Sequence, residues 1–264
     1  MSTQRLTDLP DAVRRMIEKV SGPIVDVGNI NAGLNSAIAA RVRTPEDTLF
    51  VKGLPMDHPR VWTQNREAQI SPYLRGIAPE LLWHIEEDGW SLLGFEYVNG
   101  GHADFTPKSR DLPAVMATMR RLAKVPAPAL ELKSMPHRLR TFVDDPADLS
   151  WFAGDSLLHT EWNPHNVLVS GDRALFVDWG WASTGAAWID PALWLLWLIA
   201  HGHTRDQAER ASATHPAWAL APAEGLNALA RVQRRLWDSI AAESTDDWAN
   251  PMREAARSWE EHRR

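Results

Sequence analysis

The chain has 264 residues, 44% hydrophobic and 23% charged, and 28 Lys plus Arg against 34 Asp plus Glu give a formal net charge of −6. That composition suits one large domain or two lobes and excludes a disordered chain. The acidic balance argues against a nucleic-acid partner, which would be gripped by clustered cations. With no Cys, a disulfide framework, a thiolate nucleophile and a zinc–thiolate site are all excluded.

Met1 to Val20 is charged and amphipathic and has no apolar signal core. Pro23 to Val27, Ser36 to Val42 and Thr48 to Leu54 then read as three consecutive strands. The second and third are joined by the turn composition Thr44-Pro45-Glu46-Asp47. Asp57 to Ala78 has a helix-compatible pattern, with Asp57 as N-cap and Pro59 in the first turn. Leu81 to Glu86 and Ser91 to Val98 are two further strands around Glu87-Asp88-Gly89. The resulting β-β-β-α-β-β order is not the alternation of a doubly wound parallel sheet.

Asn99-Gly100-Gly101 reads as a hinge. Asp111 to Val125 is a helix with Pro113 early, and Pro126 to Pro146 is irregular, with a short helix near Met135 to Phe142. Val167 to Ser170 and Ala174 to Val177 are short strands around Gly171-Asp172. From Pro191 onward the sequence is mostly helical, with Leu226, Leu229, Leu236 and Ile240 near one face. The most apolar stretch, Pro191 to Ala200, is far shorter than the roughly 20 residues a membrane span needs. A soluble, cytoplasmic protein with no membrane partner is expected, its oligomeric state open.

Chemistry concentrates in His159-Thr160-Glu161-Trp162-Asn163-Pro164-His165-Asn166 and in Phe176-Val177-Asp178-Trp179-Gly180. An acid, an amide five residues on and a second acid twelve beyond that are what metal-assisted phosphoryl transfer requires. One carboxylate serves the acceptor hydroxyl, while an amide oxygen and another carboxylate hold Mg²⁺ against the phosphates. The intervening Val-Leu-Val and Leu-Phe-Val form a hairpin between them.

These segments resemble the catalytic loop and metal-binding motif of the aminoglycoside phosphotransferase family, relatives of choline kinases and protein kinases. The family pattern is H-G-D-x-x-x-x-N, a hydrophobic hairpin and then I-D-W/F; His159, Asn166, Asp178 and Trp179 match it, and Asp190 stands where the family has a loop-bracing aspartate. The resemblance implies a two-lobed, protein-kinase-like α+β fold. Residues 1–98 would form a nucleotide-binding lobe with a small antiparallel sheet and one helix; residues 99–264 would form a mainly helical lobe with the catalytic loop and acceptor site. Lys52, in the third strand, would then touch the nucleotide phosphates, with Glu67 as its partner; Glu80, Glu86 and plain surface solvation are rivals for that pairing. The hairpin from Val27 to Ser36 would be a weak phosphate loop in which Asn35 and Ser36 lend polar groups. Glu96 to Val98 would offer backbone groups to the base.

The implied activity is transfer of a γ-phosphoryl group from ATP or GTP, with Mg²⁺, to a hydroxyl of a small acceptor. An aminoglycoside suits an acidic chain, which would make the activity one of antibiotic resistance. Asn166 and Asp178 would hold the metal, and Glu161 would orient or deprotonate the acceptor. Glu161 departs from the family's aspartate by one methylene, so a nucleotide-binding regulator without turnover is the alternative. His165 replaces a small residue and has no assigned role. Asn163 either approaches the catalytic carboxylate or caps a turn, and Trp162, Trp179 and Trp181 either stack on a ligand or form wall packing. Trp188, Trp194 and Trp197 read as core, and His201 and His203 as a helix terminus rather than a metal pair.

Overall fold

The computed structural model describes residues 4–30, 36–244 and 246–264. They form two compact units: residues up to Gly100 together with Phe176–Gly180, and Gly101–Leu175 together with Trp181–Arg264.

The first unit is built on a five-stranded antiparallel sheet. Its strands are β1 (Asp26–Asn29), β2 (Ile38–Arg43), β3 (Thr48–Pro55), β4 (Leu81–Glu87) and β5 (Trp90–Glu96), in the spatial order β1-β2-β3-β5-β4. The Thr44–Asp47 turn closes on itself, Thr44 N–H donating to the Asp47 carbonyl at 2.9 Å and Asp47 N–H to Thr44 Oγ1 at 3.0 Å. Between β4 and β5, Asp88 and Gly89 both take positive φ, 45° and 79°, the hairpin conformation that Asp-Gly favours.

Helix α1 (Asp11–Ser21), which the strand-based reading does not anticipate, buries Val13 and Ile17, one turn apart. With Leu6 and Leu9 they cover Ile38, Ala40, Val42, Leu49, Val51, Ile85 and Leu92 of the sheet. The amphipathic N-terminal sequence is therefore a lid on one sheet face.

Helix α2 (Trp62–Ile70) is shorter than the expected Asp57 to Ala78, and Asp57 and Pro59 lie outside it. A turn fills the residues before it, and a 3-10 segment, Ser71–Tyr73, follows with Pro72 in its first turn. The first strand starts at Asp26 rather than Pro23; Val25 N–H still reaches the Arg43 carbonyl at 2.8 Å, but Ile24 N–H turns away to Glu18 Oε1 at 3.3 Å.

The second unit is mainly helical. Helix α3 (Leu112–Leu122) and short α4 (Met135–Leu139) precede α5 (Ile189–Ala200), α6 (Arg205–Ser212), α7 (Ala223–Glu243) and α8 (Ala249–His262). Every residue of α5 from Ile189 to Leu198 is buried, including Trp194 and Trp197, so this helix is hydrophobic all round and forms the core that α6 and α8 pack against. Of the expected face of α7, Leu226 and Leu229 are buried, while Leu236 and Ile240 are only partly so.

Two small sheets frame the loops. Strand β6 (Gly101–His102), at the expected hinge, pairs with β9 (Val167–Ser170), which pairs with β10 (Arg173–Phe176). Strands β7 (Lys133–Ser134) and β8 (Ser156–Leu158) flank β11 (Ser183–Gly185). No helix among the described residues is long and apolar enough to cross a membrane.

Candidate active site

In the sheet unit, three segments far apart in sequence converge on one ammonium. Lys52, mid-strand in β3 opposite Ala39 and Leu93, places Nζ 2.6 Å from Glu67 Oε2 of α2 and 3.3 Å from Asp178 Oδ1. The Lys52 and Glu67 side chains are almost fully buried, whereas that of Asp178 is 25% exposed. Burial opposes the charge on Lys52, but Glu67 and then Asp178 outweigh it and hold the ammonium's pKa above its ordinary value. Burial raises the Glu67 pKa, against the opposing pull of Lys52.

Glu67 also accepts a hydrogen bond from the Trp179 backbone, so α2 grips the residue after Asp178. Two features shape that turn. Asp178 has φ 66°, a left-handed conformation that Asp tolerates better than most residues. Gly180 lies against α2 so closely that a Cβ there would sit 2.6 Å from Thr63 Cβ.

The helical unit builds its loop around a second buried acid. Asp190, in the first turn of α5, accepts from His159 N–H through Oδ2 and from Thr160 N–H and Trp162 Nε1 through Oδ1, each at 2.9 Å. Burial outweighs these donated bonds and lifts its pKa to about 6. Three converging N–H donors fix the loop from His159 to Trp162, with Thr160 at φ 69°.

From that loop Glu161 projects its carboxylate toward Arg138 of α4, Nη2 to Oε1 3.3 Å. Asn163 Oδ1 accepts from His165 N–H at 2.9 Å, and its carbonyl accepts from Asn166 N–H at 2.8 Å. Asn163 is thus a turn cap. Asn166 in turn donates Nδ2 to the Glu161 carbonyl at 3.1 Å, which orients its amide with Oδ1 as the remaining acceptor.

Lys52 therefore pairs with Glu67 rather than Glu80 or Glu86. Ser36 is buried at the entry to β2, and Asn35 lies outside the described residues. Glu96 N–H donates to the Glu80 carbonyl at 2.9 Å and Tyr97 N–H to that of Thr48 at 3.2 Å, which engages two of the backbone groups in the segment expected to face a base; Val98 follows, half-buried.

Trp162 and Trp179 are buried and hydrogen-bonded inward, to Asp190 and to the Phe176 carbonyl, so they are walls. Trp181 is partly exposed, with Lys133 Nζ 4.9 Å and Arg138 Cζ 5.4 Å from its ring centre. His201 Nδ1 and His203 Nε2 lie within hydrogen-bond distance of the Trp197 and Phe105 carbonyls. His165 meets His102 edge to face, ring centres 4.7 Å apart.

Sequence reasoning misses Arg138 altogether. It sits on a five-residue helix in a Pro-rich stretch, with no periodicity or motif around it.

Asp178 in the sheet unit and Asn166 in the helical unit each carry the donor type that a hard divalent cation takes. Each offers oxygen, the Asp178 carboxylate remains partly exposed, and the Asn166 amide is turned by its Nδ2 bond. Among the described residues no three His, Cys, Asp or Glu side chains form a group that could hold a metal ion.

No family model and no curated protein matches the chain by sequence. Solved structures do match it. Choline kinase LicA from Streptococcus pneumoniae superimposes with a TM-score of 0.62 at 12% identity, covering 95% of this chain and 98% of that one. Aminoglycoside phosphotransferase APH(4)-Ia, in a thermostable mutant's apo form, gives 0.61 at 17% identity, covering 93% and 98%. A thermostable mutant of that enzyme has also been crystallised as a ternary complex with AMP-PNP and hygromycin B. The chain has the protein-kinase-like fold of these small-molecule kinases.

Proposed function

We propose that this protein is a small-molecule kinase that transfers the γ-phosphoryl group of ATP or GTP to a hydroxyl of a small acceptor. The observation that carries the reading is the buried junction of Lys52, Glu67 and Asp178. A cation shared by two carboxylates, one of them partly exposed, is organised to receive a polyanion: phosphate oxygens can replace Asp178 on Lys52 while Glu67 holds the ammonium in place.

In this reading the nucleotide lobe is residues 1–98 and the acceptor lobe 99–264. Ser36 borders the phosphates, and Glu96 would reach a base through its carbonyl, since its N–H is spent, with Val98 beside it. Asn166 and Asp178 would hold Mg²⁺, which supplies charge neutralisation on the phosphates when bound. Glu161 accepts the acceptor hydroxyl's proton or fixes its direction, and Asp190 and His159 brace the loop beneath it.

The test separates binding from turnover. Calorimetry should detect nucleotide binding that requires Mg²⁺ and is lost in Asp178→Ala with the fold intact. Phosphoryl transfer is then assayed across amino alcohols, sugars and aminoglycosides. Unchanged Mg-nucleotide affinity in folded Asp178→Ala would remove this residue from the site; binding without transfer to any acceptor would favour the regulator.

A further inference from the structure

We propose that Arg138 is the positioning residue for Glu161, and that Thr160 and Glu161 are matched to it as a pair. The inference rests on the kinase reading and adds a residue that neither the motif nor the fold assigns.

The guanidinium of Arg138 gathers four acceptors from the catalytic loop and the segment after Asp178. The two N–H groups of Nη1 are shared among three acceptors, Thr160 Oγ1 at 2.6 Å, the Trp181 carbonyl at 3.1 Å and Ser183 Oγ at 3.0 Å. Nη2 donates to Glu161 Oε1 at 3.3 Å. The Arg138 side chain is 20% exposed, and its planar group lies over the Trp181 ring, so the fork is held by stacking as well as by hydrogen bonds.

Two of these acceptors are the side chains at which the sequence leaves the His-Gly-Asp pattern. Thr160 stands at the glycine position with φ 69°, a costly conformation for a β-branched residue. Its N–H is fixed by Asp190 and its hydroxyl by Arg138. Glu161 is a methylene longer than Asp, and that length carries Oε1 to the fork. Held there by one oxygen on Arg138, the carboxylate has a set direction from which to meet an acceptor hydroxyl. A neutral or shorter residue at either end would leave the carboxylate to sample several rotamers.

Wild-type turnover is measured first, then that of Arg138→Ala, Arg138→Lys, Glu161→Gln and the Arg138→Ala/Glu161→Gln double variant. Arg138→Ala should lower kcat about 10²-fold, the cost of roughly 1 Å of misplacement. Its KM for Mg-nucleotide should stay within a few-fold. Arg138→Lys, which keeps the charge but not the planar fork, should recover only part of kcat. In the Glu161→Gln background, Arg138→Ala should cost nothing further, because residues acting as a unit are not additive.

If Arg138→Ala does not fold, Glu161→Asp carries the same test. It shortens the reach to the fork from the more exposed side and should also lose kcat about 10²-fold. Wild-type turnover with kcat indifferent to Arg138→Ala, or additive losses in the double variant, would overturn the pairing alone. Full kcat in folded Glu161→Asp would do the same. Nucleotide binding with no wild-type turnover on any acceptor would overturn the kinase reading and the pairing together.

Discussion

The two units hold a buried carboxylate in opposite ways. In the sheet unit, Glu67 is balanced by a full charge, the Lys52 ammonium at 2.6 Å. In the helical unit, Asp190 is met by three neutral N–H groups. A charge balanced by a charge can be redistributed when a polyanion arrives, because Lys52 already serves two partners. A carboxylate met by fixed dipoles has no such freedom and serves to hold a loop still. Under the proposed kinase reading, the junction responds to a ligand and the Asp190 knot gives Glu161 and Asn166 a rigid base.

Breaking the first arrangement should have the largest effect. Lys52→Ala leaves Glu67 buried without its cation, and removing one partner of a buried pair costs about 3–5 kcal/mol. Urea denaturation should register that loss, calorimetry should show weakened Mg-nucleotide affinity, and acceptor preference should not change. Lys52→Met combined with Glu67→Leu sharpens the point. Replacing both charges with apolar side chains should restore much of the stability but none of the nucleotide affinity. Recovered affinity in the double variant would mean that the ion pair is scaffolding only.

The Asp190 knot should fail more modestly. Asp190→Ala strands two backbone N–H groups and Trp162 Nε1, and a loss of about 3 kcal/mol follows if water reaches some of them. Turnover per folded molecule should fall with it, since the loop that carries Glu161 is no longer tied. Full turnover in the folded variant would show that the loop keeps its shape without Asp190.

The dipole-held acid also has a distinct pH signature. Because burial lifts Asp190 to about 6 from its ordinary 3.8, the folded protein keeps a proton there that the unfolded chain has released. That contribution is complete below the unfolded value and is lost as pH rises through about 6. The stability of the wild type relative to Asp190→Asn should therefore fall by about 2–3 kcal/mol between acid and neutral pH. A difference that stays flat with pH would mean that the donated bonds cancel the effect of burial and leave this acid at its ordinary pKa.

Local periodicity made the five strands and the buried helix α5 legible in the sequence, because each element's own residues dictate it. Motif spacing likewise singled out Glu161, Asn166 and Asp178. The ends of α2 were not legible, since Asp57 and Pro59 are compatible with a helix start that the observed turn overrides. Which backbone group of Glu96 is already engaged was not legible for a related reason: its N–H belongs to Glu80, on a neighbouring segment that only the tertiary structure brings beside it. Arg138 is the extreme case, a side chain whose partners lie 22 to 45 residues away and which no local pattern marks.

The smallest effect isolates backbone strain in the loop. Asp178 and Thr160 share nearly the same left-handed φ, 66° and 69°, but Asp accepts it readily and a β-branched Thr does not. Thr160→Ala and Thr160→Gly both delete the hydroxyl bound by Arg138, so that loss cancels when the two variants are compared. What differs is the Cβ, which Ala keeps in an unfavourable conformation and Gly lacks. Glycine's greater freedom in the unfolded chain works against it, yet where native φ is positive the strain term is the larger. Thr160→Gly should therefore be the more stable of the two by about 1 kcal/mol in urea denaturation. Thr184, in strand β11 and without positive φ, provides the control, and there the order should reverse. If Ala is the more stable at both positions, the loop turns without the strain its φ implies, and Arg138 and Asp190 are not restraining a strained residue.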